Sequence, residues 1–456
     1  MFIVPPLVLL FTFVFWRPQI LVEALESISI FHMAALCFFG YLLDARIGVV
    51  RPRGSALLGL LAALAVWSLT TVAIKAPSFL GGEVGRFGVV LFFFFLVSEG
   101  VQSLRALGSL IGVLLIFTIG LSAFGVHQGL SPGACFARPD SGGDPAEIAR
   151  IESRSCEKTE DCYVDAPAGT GFLCEHVGLL GTHSIFGRVR YLGILEDPNE
   201  LAWVLSMGLP LAFGYWEQKR SAFRGLVVVA TLGLAGTCTI MTQSRGGQMA
   251  MLATVGVYFV RRYRARGLIT GLVLGLPVLL LGGRSGEGAE SSSQERLECW
   301  SEALSMFRES PLLGVGAGQF TEHHTLTAHN SFLLTIAELG PLGLALWTLA
   351  IYFAFKITVR IQVELADRED AVEARVWAMA LLASMAGLTV SAFFLSIAYH
   401  MALWLYLALP AALYAAVRRH EPSFSVRLTW RDIGFVLGSD AILIGAIAVY
   451  LRLKGV

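Results

Sequence analysis

The sequence predicts an all-α polytopic membrane protein with about 12 to 13 transmembrane helices. Of its 456 residues 55% are hydrophobic and only 15% are charged, whereas an ordinary soluble domain carries roughly 25% charged residues. The mean hydropathy is +0.68. The apolar residues are also grouped into runs of the length that crosses a bilayer core, which is roughly 20 residues in helical form.

The charge balance excludes several classes of function. The 34 Lys and Arg residues equal the 34 Asp and Glu residues in number, so the chain has no global basic field to attract polyanions, and nucleic acid is not expected as a partner. The apolar content excludes disorder. Recognition of an anion must therefore depend on where individual arginines lie.

Thirteen apolar runs predict membrane-spanning helices. The predicted spans are 2–15, 28–43, 55–74, 86–98, 104–124, 199–216, 225–242, 248–260, 267–283, 330–355, 376–396, 400–417 and 433–451. The first run lacks a basic region before it and a small-residue cleavage site before Arg17, so we interpret it as a helix rather than a signal peptide.

Lys and Arg are distributed unequally between alternate connections. One set of connections contains 19 of them, and the short connections of the other set contain four: Arg17, Lys75, Arg86 and Arg245. Because cytoplasmic loops are enriched in Lys and Arg, the first set and the N-terminus are predicted to lie in the cytoplasm. The side of the C-terminus depends on the last span, which contains Asp440.

Two long segments on the external side divide the chain into five parts. They are N-terminal transmembrane helices (1–124), a Cys-rich periplasmic loop (125–198), central transmembrane helices (199–283), a periplasmic loop with an amphipathic helix (284–329) and C-terminal transmembrane helices (330–456). Function is expected in the two loops, because chemistry on an external substrate needs a partly wet chamber above the helices.

Four cysteines are clustered in the first loop: Cys135, Cys156, Cys162 and Cys174. Clustered thiols on the external side predict two disulfides, in one of three pairings. A structural zinc site is the less favoured alternative, since the loop has no Cys-x-x-Cys. We expect an irregular cap held by disulfides and assign no chemistry to it.

Arginines stand at two points where the chain enters a membrane helix. Arg188 and Arg190 precede Asp197-Pro-Asn199; the aspartate is expected to cap the helix, and the arginines either snorkel to lipid headgroups or line a site for an anionic headgroup. Arg245 lies in the short turn 242–248, where an external charge should be compensated. Its two following glycines are expected to let the backbone approach what the guanidinium binds, although a simple tight turn is the alternative.

The second loop contains a predicted helix at 294–309 that should lie on the membrane surface. At 100° per residue its apolar residues share an arc of about 80°, and they are Leu297, Trp300, Leu304 and Phe307. Arg296 lies about 20° outside this arc and is aimed toward the bilayer interface. Arg308 also falls close to the arc, so the angle alone does not single out one arginine. An ordinary amphipathic anchor with a snorkelling arginine is the alternative.

Polar residues then open the next membrane helix. Gly314, Gly316 and Gly318 are expected to be turn residues, and His329 stands at the external helix end. An imidazole there can be neutral and accept a proton at ambient pH, although a polar helix-start residue is the alternative. Glu338 lies inside the same helix and is expected to have a basic partner.

In their joint order these segments resemble the O-antigen ligase and O-antigen polymerase family of bacterial inner membranes. The resemblance covers roughly 185–350, and the Cys-rich loop departs from it. The residues that carry it are Asp197-Pro-Asn199, Ser244-Arg-Gly-Gly247, Arg296 with Trp300, Pro311-x-x-Gly-x-Gly-x-Gly-x-Phe320, Ala328-His-Asn-Ser331 and Glu338-x-Gly340-x-x-Gly343.

The resemblance implies a GT-C type membrane glycosyltransferase that needs no metal, cofactor or nucleotide sugar. Such an enzyme moves a glycan from undecaprenyl diphosphate to a hydroxyl acceptor at the periplasmic face of the inner membrane. The acceptor is a glycan in a polymerase and lipid A–core in a ligase, and the sequence does not separate the two. Expected partners are therefore the lipid-linked glycan, its acceptor, membrane lipid and polysaccharide-assembly proteins.

When the family's roles are carried onto this sequence, the resemblance implies that Arg245 and Arg296 hold the diphosphate and that His329 activates the acceptor hydroxyl. Beside these catalytic residues, the substrate-binding candidates are Arg188, Arg190, Asp197, Asn199, Asn330 and Glu338, the first two matched by neighbourhood only. Guanidinium groups suit this task because their fork geometry gives bidentate hydrogen bonds to phosphate.

A flippase or exporter of the same lipid-linked glycan is the alternative function. A transporter should carry charged residues deep in several spans and show repeat-related broken helices. The unusual charges here cluster at one face instead, which favours the transferase.

Overall fold

The computed structural model describes residues 1–138, 144–164, 166, 170–281 and 287–455, and these residues form a helical bundle with a small sheet. The helices are α1 (Val4–Phe15), α2 (Pro18–Leu21), α3 (Glu23–Glu26), α4 (Ile30–Arg46), α5 (Ala56–Lys75), α6 (Leu80–Gly100), α7 (Leu104–Leu130), α8 (Pro145–Ile151), α9 (Pro198–Gln218), α10 (Ala222–Met241), α11 (Arg245–Tyr263), α12 (Ala265–Leu281), α13 (Glu287–Glu309), α14 (Phe320–His323), α15 (Ser331–Glu364), α16 (Val372–Phe394), α17 (Met401–His420) and α18 (Trp430–Lys454). Each predicted span coincides with one of these helices over its described residues, and 282–283 of the span 267–283 lie outside them.

Within the described residues, eight helices are long and apolar enough to cross a membrane: α5, α6, α7, α10, α15, α16, α17 and α18. The protein is thus a multi-pass membrane protein, as predicted. The other helices that match predicted spans are shorter or more polar. Helix α9, for example, carries Glu200 and Glu217 near its ends and is buried along most of its length, so it faces other helices rather than lipid.

Capping side chains define several helix starts. The Asp197 carboxylate accepts a hydrogen bond from the Asn199 backbone N–H (2.6 Å), and Pro198 is the first residue of α9, as the sequence predicts. The Ser244 hydroxyl accepts from the Gly247 N–H (3.1 Å) at the start of α11. These side chains satisfy N–H groups that a helix start leaves without partners.

Successive long helices run in opposite directions, so their connections gather at two ends of the bundle. We call one of these ends the site end. Two hydrogen bonds join its connections: the Tyr191 hydroxyl donates to the Trp16 carbonyl, and the Ser331 hydroxyl donates to the Leu395 carbonyl. At the opposite end, the Arg53 backbone N–H donates to Glu99, and the Arg419 guanidinium to the Val49 carbonyl. All connections in which the sequence places candidate site residues lie at the site end.

Helices α9, α11 and α16 pack closely through glycine. A Cβ on Gly247 would lie 2.3 Å from the Ala202 Cβ, one on Gly387 2.3 Å from the Thr254 Cγ2 and one on Gly246 2.9 Å from the Phe394 Cβ. Small residues let membrane helices approach until their backbones nearly touch. The pair after Arg245 therefore serves helix packing, which differs from the expectation that it serves ligand approach.

Helix α15 is interrupted at Gly340, whose φ is +66°, followed by Pro341. A Cβ at this glycine would lie 2.3 Å from the Leu312 carbonyl oxygen, so the loop before α14 packs directly on the break. The Trp67 indole N–H donates to the Leu339 carbonyl beside the break (2.8 Å). A short half-helix starting at Ser331 is thus held beside that loop.

The Cys-rich loop contains regular structure, which corrects the expectation of an irregular cap. Three strands, β1 (Gly133–Ala137), β2 (Ser155–Cys156) and β3 (Phe172–His176), form an antiparallel sheet in the order β2-β1-β3. The predicted disulfides are confirmed, and the pairs are Cys135–Cys162 and Cys156–Cys174. We use the name "cap" for the described residues within 131–187. The cap buries only a small cluster of its own, which consists of Ile151, Phe172 and three of the disulfide cysteines, so the sheet depends on the cross-links for stability.

Helix α13 packs on the protein through a stripe that the sequence pattern does not single out. Cys299, Ala303 and Met306 are its buried residues, and the helix contacts α15 and α18. The predicted apolar arc is half-buried beside this stripe, and the Trp300 ring lies edge-on to Phe393 (5.6 Å between centroids). Small residues occupy the tightest contact because they allow the helices to approach closely.

Candidate functional site

Arg245 is the first residue of α11 and its side chain is exposed at the site end. The preceding turn contains Gln243, a non-glycine residue with φ of +51°. A helix start presents unpaired N–H groups and the positive end of the helix dipole. The guanidinium and the helix start therefore favour an anion at the same place.

Arg188 connects this turn to the start of α9. Its Nε donates to the Thr242 carbonyl (2.8 Å) and its NH2 group to the Asn199 Oδ1 (3.0 Å). The side chain is buried, with 8% of its surface exposed. Since its hydrogen bonds go to two neighbouring elements, Arg188 fixes the α9 and α11 starts to each other and adds positive charge behind Arg245.

Arg190 is directed differently and belongs to the base of the cap. Its Nε donates to the His183 carbonyl (3.1 Å), and its NH2 group lies 2.7 Å from the His183 Nε2. The His183 ring in turn stacks on Phe136 of β1, with centroids 4.4 Å apart. Burial and the Arg190 charge lower the pKa of His183, so this imidazole is neutral and can accept the hydrogen bond.

The cap also supports the chain that leads into Arg188. A two-residue turn at Phe186 and Gly187 has φ of +51° and +70°. The buried Glu175 carboxylate of β3 accepts hydrogen bonds from both of these backbone N–H groups and from the Ser184 hydroxyl. A buried carboxylate with several N–H partners is a strong anchor, so the sheet holds the arginine segment in place.

His329 lies directly before the half-helix, with its backbone in the left-handed region (φ +47°). A non-glycine residue in this region costs of order 1–3 kcal/mol and is typical of functional sites. The pKa of the imidazole is lowered, first by burial and then by the Arg296 charge, whereas Asp197 and Glu295 act in the opposite direction. The imidazole is therefore neutral at neutral pH and able to take up a proton.

These electrostatic neighbours bring three separated segments together around His329. Asp197 belongs to the α9 start, and Arg296 lies on α13, where it is half-buried. At 100° per residue, Arg296 projects roughly 50° from the middle of the buried α13 stripe and thus toward the protein. Through Arg188 and Asn199, the same α9 start is joined to the turn that carries Arg245.

Asn330 and Glu338 have buried positions that hold the backbone of the site. The Asn330 side chain is fully buried and accepts from the Phe332 and Leu333 N–H groups, capping α15. Glu338 is also buried, with only 1% of its surface exposed. Neither position presents its carboxylate or amide at the protein surface, so both support the site from below.

The partner of Glu338 differs from the basic side chain expected. Its two carboxylate oxygens accept from the Gly318 and Phe320 backbone N–H groups, both at 2.9 Å. A Cβ on Gly318 would lie 3.2 Å from the Arg86 NH2 group, and the Arg86 charge acts on Glu338 without a direct ion pair. The glycines of this loop, Gly314 and Gly316 included, have positive φ, which confirms them as turn residues.

The structure adds polar residues that the sequence pattern missed. His400 caps α17 and its Nε2 lies 3.9 Å from the Glu200 carboxylate. Its ring lies edge-on to Trp203, 5.5 Å between centroids. Some 200 residues separate His400 from these partners, so only a spatial contact could have indicated the group.

The arrangement combines exposed and half-buried guanidinium groups with the neutral imidazole of His329 at the site end. Guanidinium groups bind phosphate oxygens in bidentate geometry. The imidazole can accept a proton from a hydroxyl group. The site end is thus suited to chemistry in which an anionic group leaves and a hydroxyl group attacks.

Comparison with known proteins finds a family match in the central part of the chain. Residues 228–348 match the family model described as O-antigen ligase, which confirms the resemblance to that family. The matched part extends from α10 into α15 and contains Arg245, Arg296 and His329. No curated protein matches the sequence.

One solved structure is similar over most of the chain. Its description reads "Structural coordination of polymerization and crosslinking by a peptidoglycan synthase complex". The two sequences are 17% identical, the alignment covers 80% of this chain and 97% of that chain, and the TM-score is 0.42.

Proposed function

We propose that this multi-pass membrane protein with an O-antigen ligase match transfers a glycan from undecaprenyl diphosphate to a hydroxyl acceptor. The reaction takes place at the periplasmic face of a bacterial inner membrane. The observation that carries the proposal is the neutral, partly buried His329 beside Arg296, joined through the α9 start to the turn that carries Arg245.

The arginines act on the leaving group. As the bond between the anomeric carbon and the diphosphate oxygen breaks, its electron pair stays with the diphosphate and negative charge increases there. Arg245 and Arg296 donate hydrogen bonds to this charge, and the α11 start adds N–H groups and its dipole. Losing one such preorganised donor typically costs about 3–4 kcal/mol in the transition state.

His329 acts on the attacking group. The acceptor oxygen forms a bond to the anomeric carbon while its proton passes to a ring nitrogen of the imidazole, which afterwards releases it to water. The lowered pKa keeps the imidazole unprotonated before the reaction. General-base catalysis of this kind contributes about 10²- to 10⁴-fold.

The test uses the purified full-length protein with a synthetic lipid-diphosphate glycan, with and without lipid A–core. His329→Ala should fold and insert normally and lose about 10²- to 10⁴-fold in transfer. The matched control is His323→Ala, because His323 is exposed in the same loop and should leave transfer unchanged. Wild-type transfer by His329→Ala would contradict the base assignment.

The products separate the remaining alternatives. Chain extension without lipid A–core identifies a polymerase, and attachment of the glycan to lipid A–core identifies a ligase. Movement of intact lipid-linked glycan across a vesicle membrane, with no new glycosidic bond, would identify a flippase and contradict the transferase proposal.

A further inference from the structure

A second group of arginines surrounds a cavity of about 350 Å³ at the opposite end of the bundle. The cavity lies where α9 and α11 end and α16 begins. Its charged lining residues are Glu217, Arg220, Arg262 and Arg375. At their other ends, which belong to the site end, these three helices carry Asn199, Arg245 and Phe394.

The cavity has an excess of positive charge. Arg262 is paired with Glu217, with distances of 2.8 and 3.0 Å from its Nε to the two carboxylate oxygens. Within the described part of the chain, Arg220 and Arg375 have no carboxylate within ion-pair distance. Two guanidinium charges around the cavity are therefore left to attract an anion.

Aromatic side chains hold two of these arginines at a defined depth. The Arg220 guanidinium lies 5.1 Å from the Trp216 ring centroid, and that of Arg262 lies 5.5 Å from the Tyr263 ring centroid. Trp and Tyr are enriched at the level of lipid headgroups, and cation–π contacts favour a guanidinium over their rings. Contacts of this kind are suited to the level of lipid phosphates.

One wall of the cavity is apolar and continues along α16. Val372, Val376 and Met379 line it, and their spacing of four and three residues places them on one face of the helix. A charged mouth with an apolar wall fits an amphiphile better than a free anion, since a free anion gains nothing from that wall.

A larger cavity is a weaker candidate. It measures about 930 Å³ and also lies at the opposite end, with Arg368 in its lining. The Arg368 guanidinium is bonded to both Asp370 and Glu421. With Arg105, Arg419 and Glu373, the lining holds as many carboxylates as guanidinium groups. The smaller cavity carries the greater unbalanced charge.

We propose that the 350 Å³ cavity binds the phosphate-bearing headgroup of an anionic phospholipid, with an acyl chain along the apolar α16 wall. Basic cavities between membrane helices are suited to such headgroups. Occupancy braces α9, α11 and α16 at one end, and the same helices carry the candidate site at the other. The proposal does not depend on which reaction the protein catalyses.

The test measures lipid retention and thermal unfolding of the full-length protein in zwitterionic nanodiscs titrated with phosphatidylglycerol. The double variant Arg220→Gln/Arg375→Gln should bind phosphatidylglycerol about 20- to 30-fold more weakly, since each basic residue near lipid phosphates contributes roughly fivefold. The matched control is Arg264→Gln/Arg266→Gln, because these exposed arginines lie at the same end outside the cavity.

Three results would overturn the proposal. The first is an equal loss of binding in the control, which would indicate only general surface charge. The second is displacement of the lipid by inorganic phosphate at the same concentration, which would indicate a free-anion site. The third applies to the unmutated protein: a photoactivatable phosphatidylglycerol should label 372–379, and labelling elsewhere would contradict the assignment whatever the variants do.

Discussion

Single residues at the site end combine strain with charge. The backbone φ is +47° at His329 and +51° at Gln243. The Arg296 charge acts on His329, and Gln243 lies just before the helix start that carries Arg245. Because each conformation is unfavourable by itself, the surrounding packing must hold it. The caps at Ser244 and Asn330 provide part of this support. We infer that the fold accepts local strain here to fix the imidazole and the guanidinium groups.

Arg245→Lys tests whether fork geometry or charge alone is needed. Lysine keeps the positive charge but offers no bidentate donor pair. We expect transfer to fall about 10- to 100-fold, which is less than the roughly 10²- to 10³-fold typical of a lost donor because lysine keeps the charge, with normal insertion and helix content. Steady-state rates with lipid-diphosphate glycan provide the measurement, and a lysine variant with full activity would show that charge placement suffices.

Asp197→Asn tests the electrostatics of His329. The Asp197 charge raises the imidazole pKa, so its removal should lower that pKa further. Activity needs the neutral imidazole and is lost as pH falls through its pKa, so the acid limb of the rate profile should move to lower pH. Asparagine still caps α9.

The control for this profile is Glu322→Gln, since Glu322 is exposed at the same end and does not act on the His329 pKa. A limb that moves to higher pH in Asp197→Asn, or that moves equally in the control, would contradict the assignment of His329 as the titrating base.

At the scale of elements, the cap and the half-helix of α15 frame the site from two sides. The sheet anchors the arginine segment through Glu175, and the loop bound to Glu338 packs on the α15 break. Both anchors are buried carboxylates that accept hydrogen bonds from backbone N–H groups, and these bonds offset part of the cost of burying the carboxylates. The Cys-rich loop is thus a support for the site.

Glu175→Gln should loosen this support. A glutamine amide has one acceptor oxygen, and its NH2 group cannot accept from the turn, so a buried hydrogen bond is lost at about 1–3 kcal/mol. Amide hydrogen exchange in 184–192 should become faster, and transfer should fall about tenfold or less. Rescue of transfer by Glu175→Asp would fit an anchoring role.

The matched control in the cap is Glu157→Gln, whose side chain is exposed. Faster exchange in Glu175→Gln with unchanged transfer would show that the cap does not position the arginines for the reaction.

At the scale of the whole molecule, the two ends of the bundle have different charge chemistry. The site end combines arginines with an imidazole, and the proposed mechanism assigns to arginines the charge stabilisation that Mg²⁺ provides elsewhere. We therefore expect transfer by the wild-type protein to persist in EDTA. Loss of activity in EDTA and its recovery with Mg²⁺ would contradict this part of the mechanism.

Much of this architecture follows from the sequence. Apolar runs predict the positions of all long membrane helices, since length and hydropathy are local properties. The cap of α9 at Asp197 and the turn glycines from Gly314 to Gly318 were equally predictable, because both depend on neighbouring residues. The cysteines predicted two disulfides but not their pairing, which depends on strand register.

The sequence alone determined the membrane class, the helices and the residue types available for anion binding and proton transfer, because hydropathy and side-chain chemistry belong to short stretches of chain. Only the tertiary structure decided which of these residues meet: Arg188 with Thr242 and Asn199, Glu175 with its turn, and Glu338 with a loop instead of a basic side chain. These contacts join segments up to some tens of residues apart, and only the packing of helices brings such segments together.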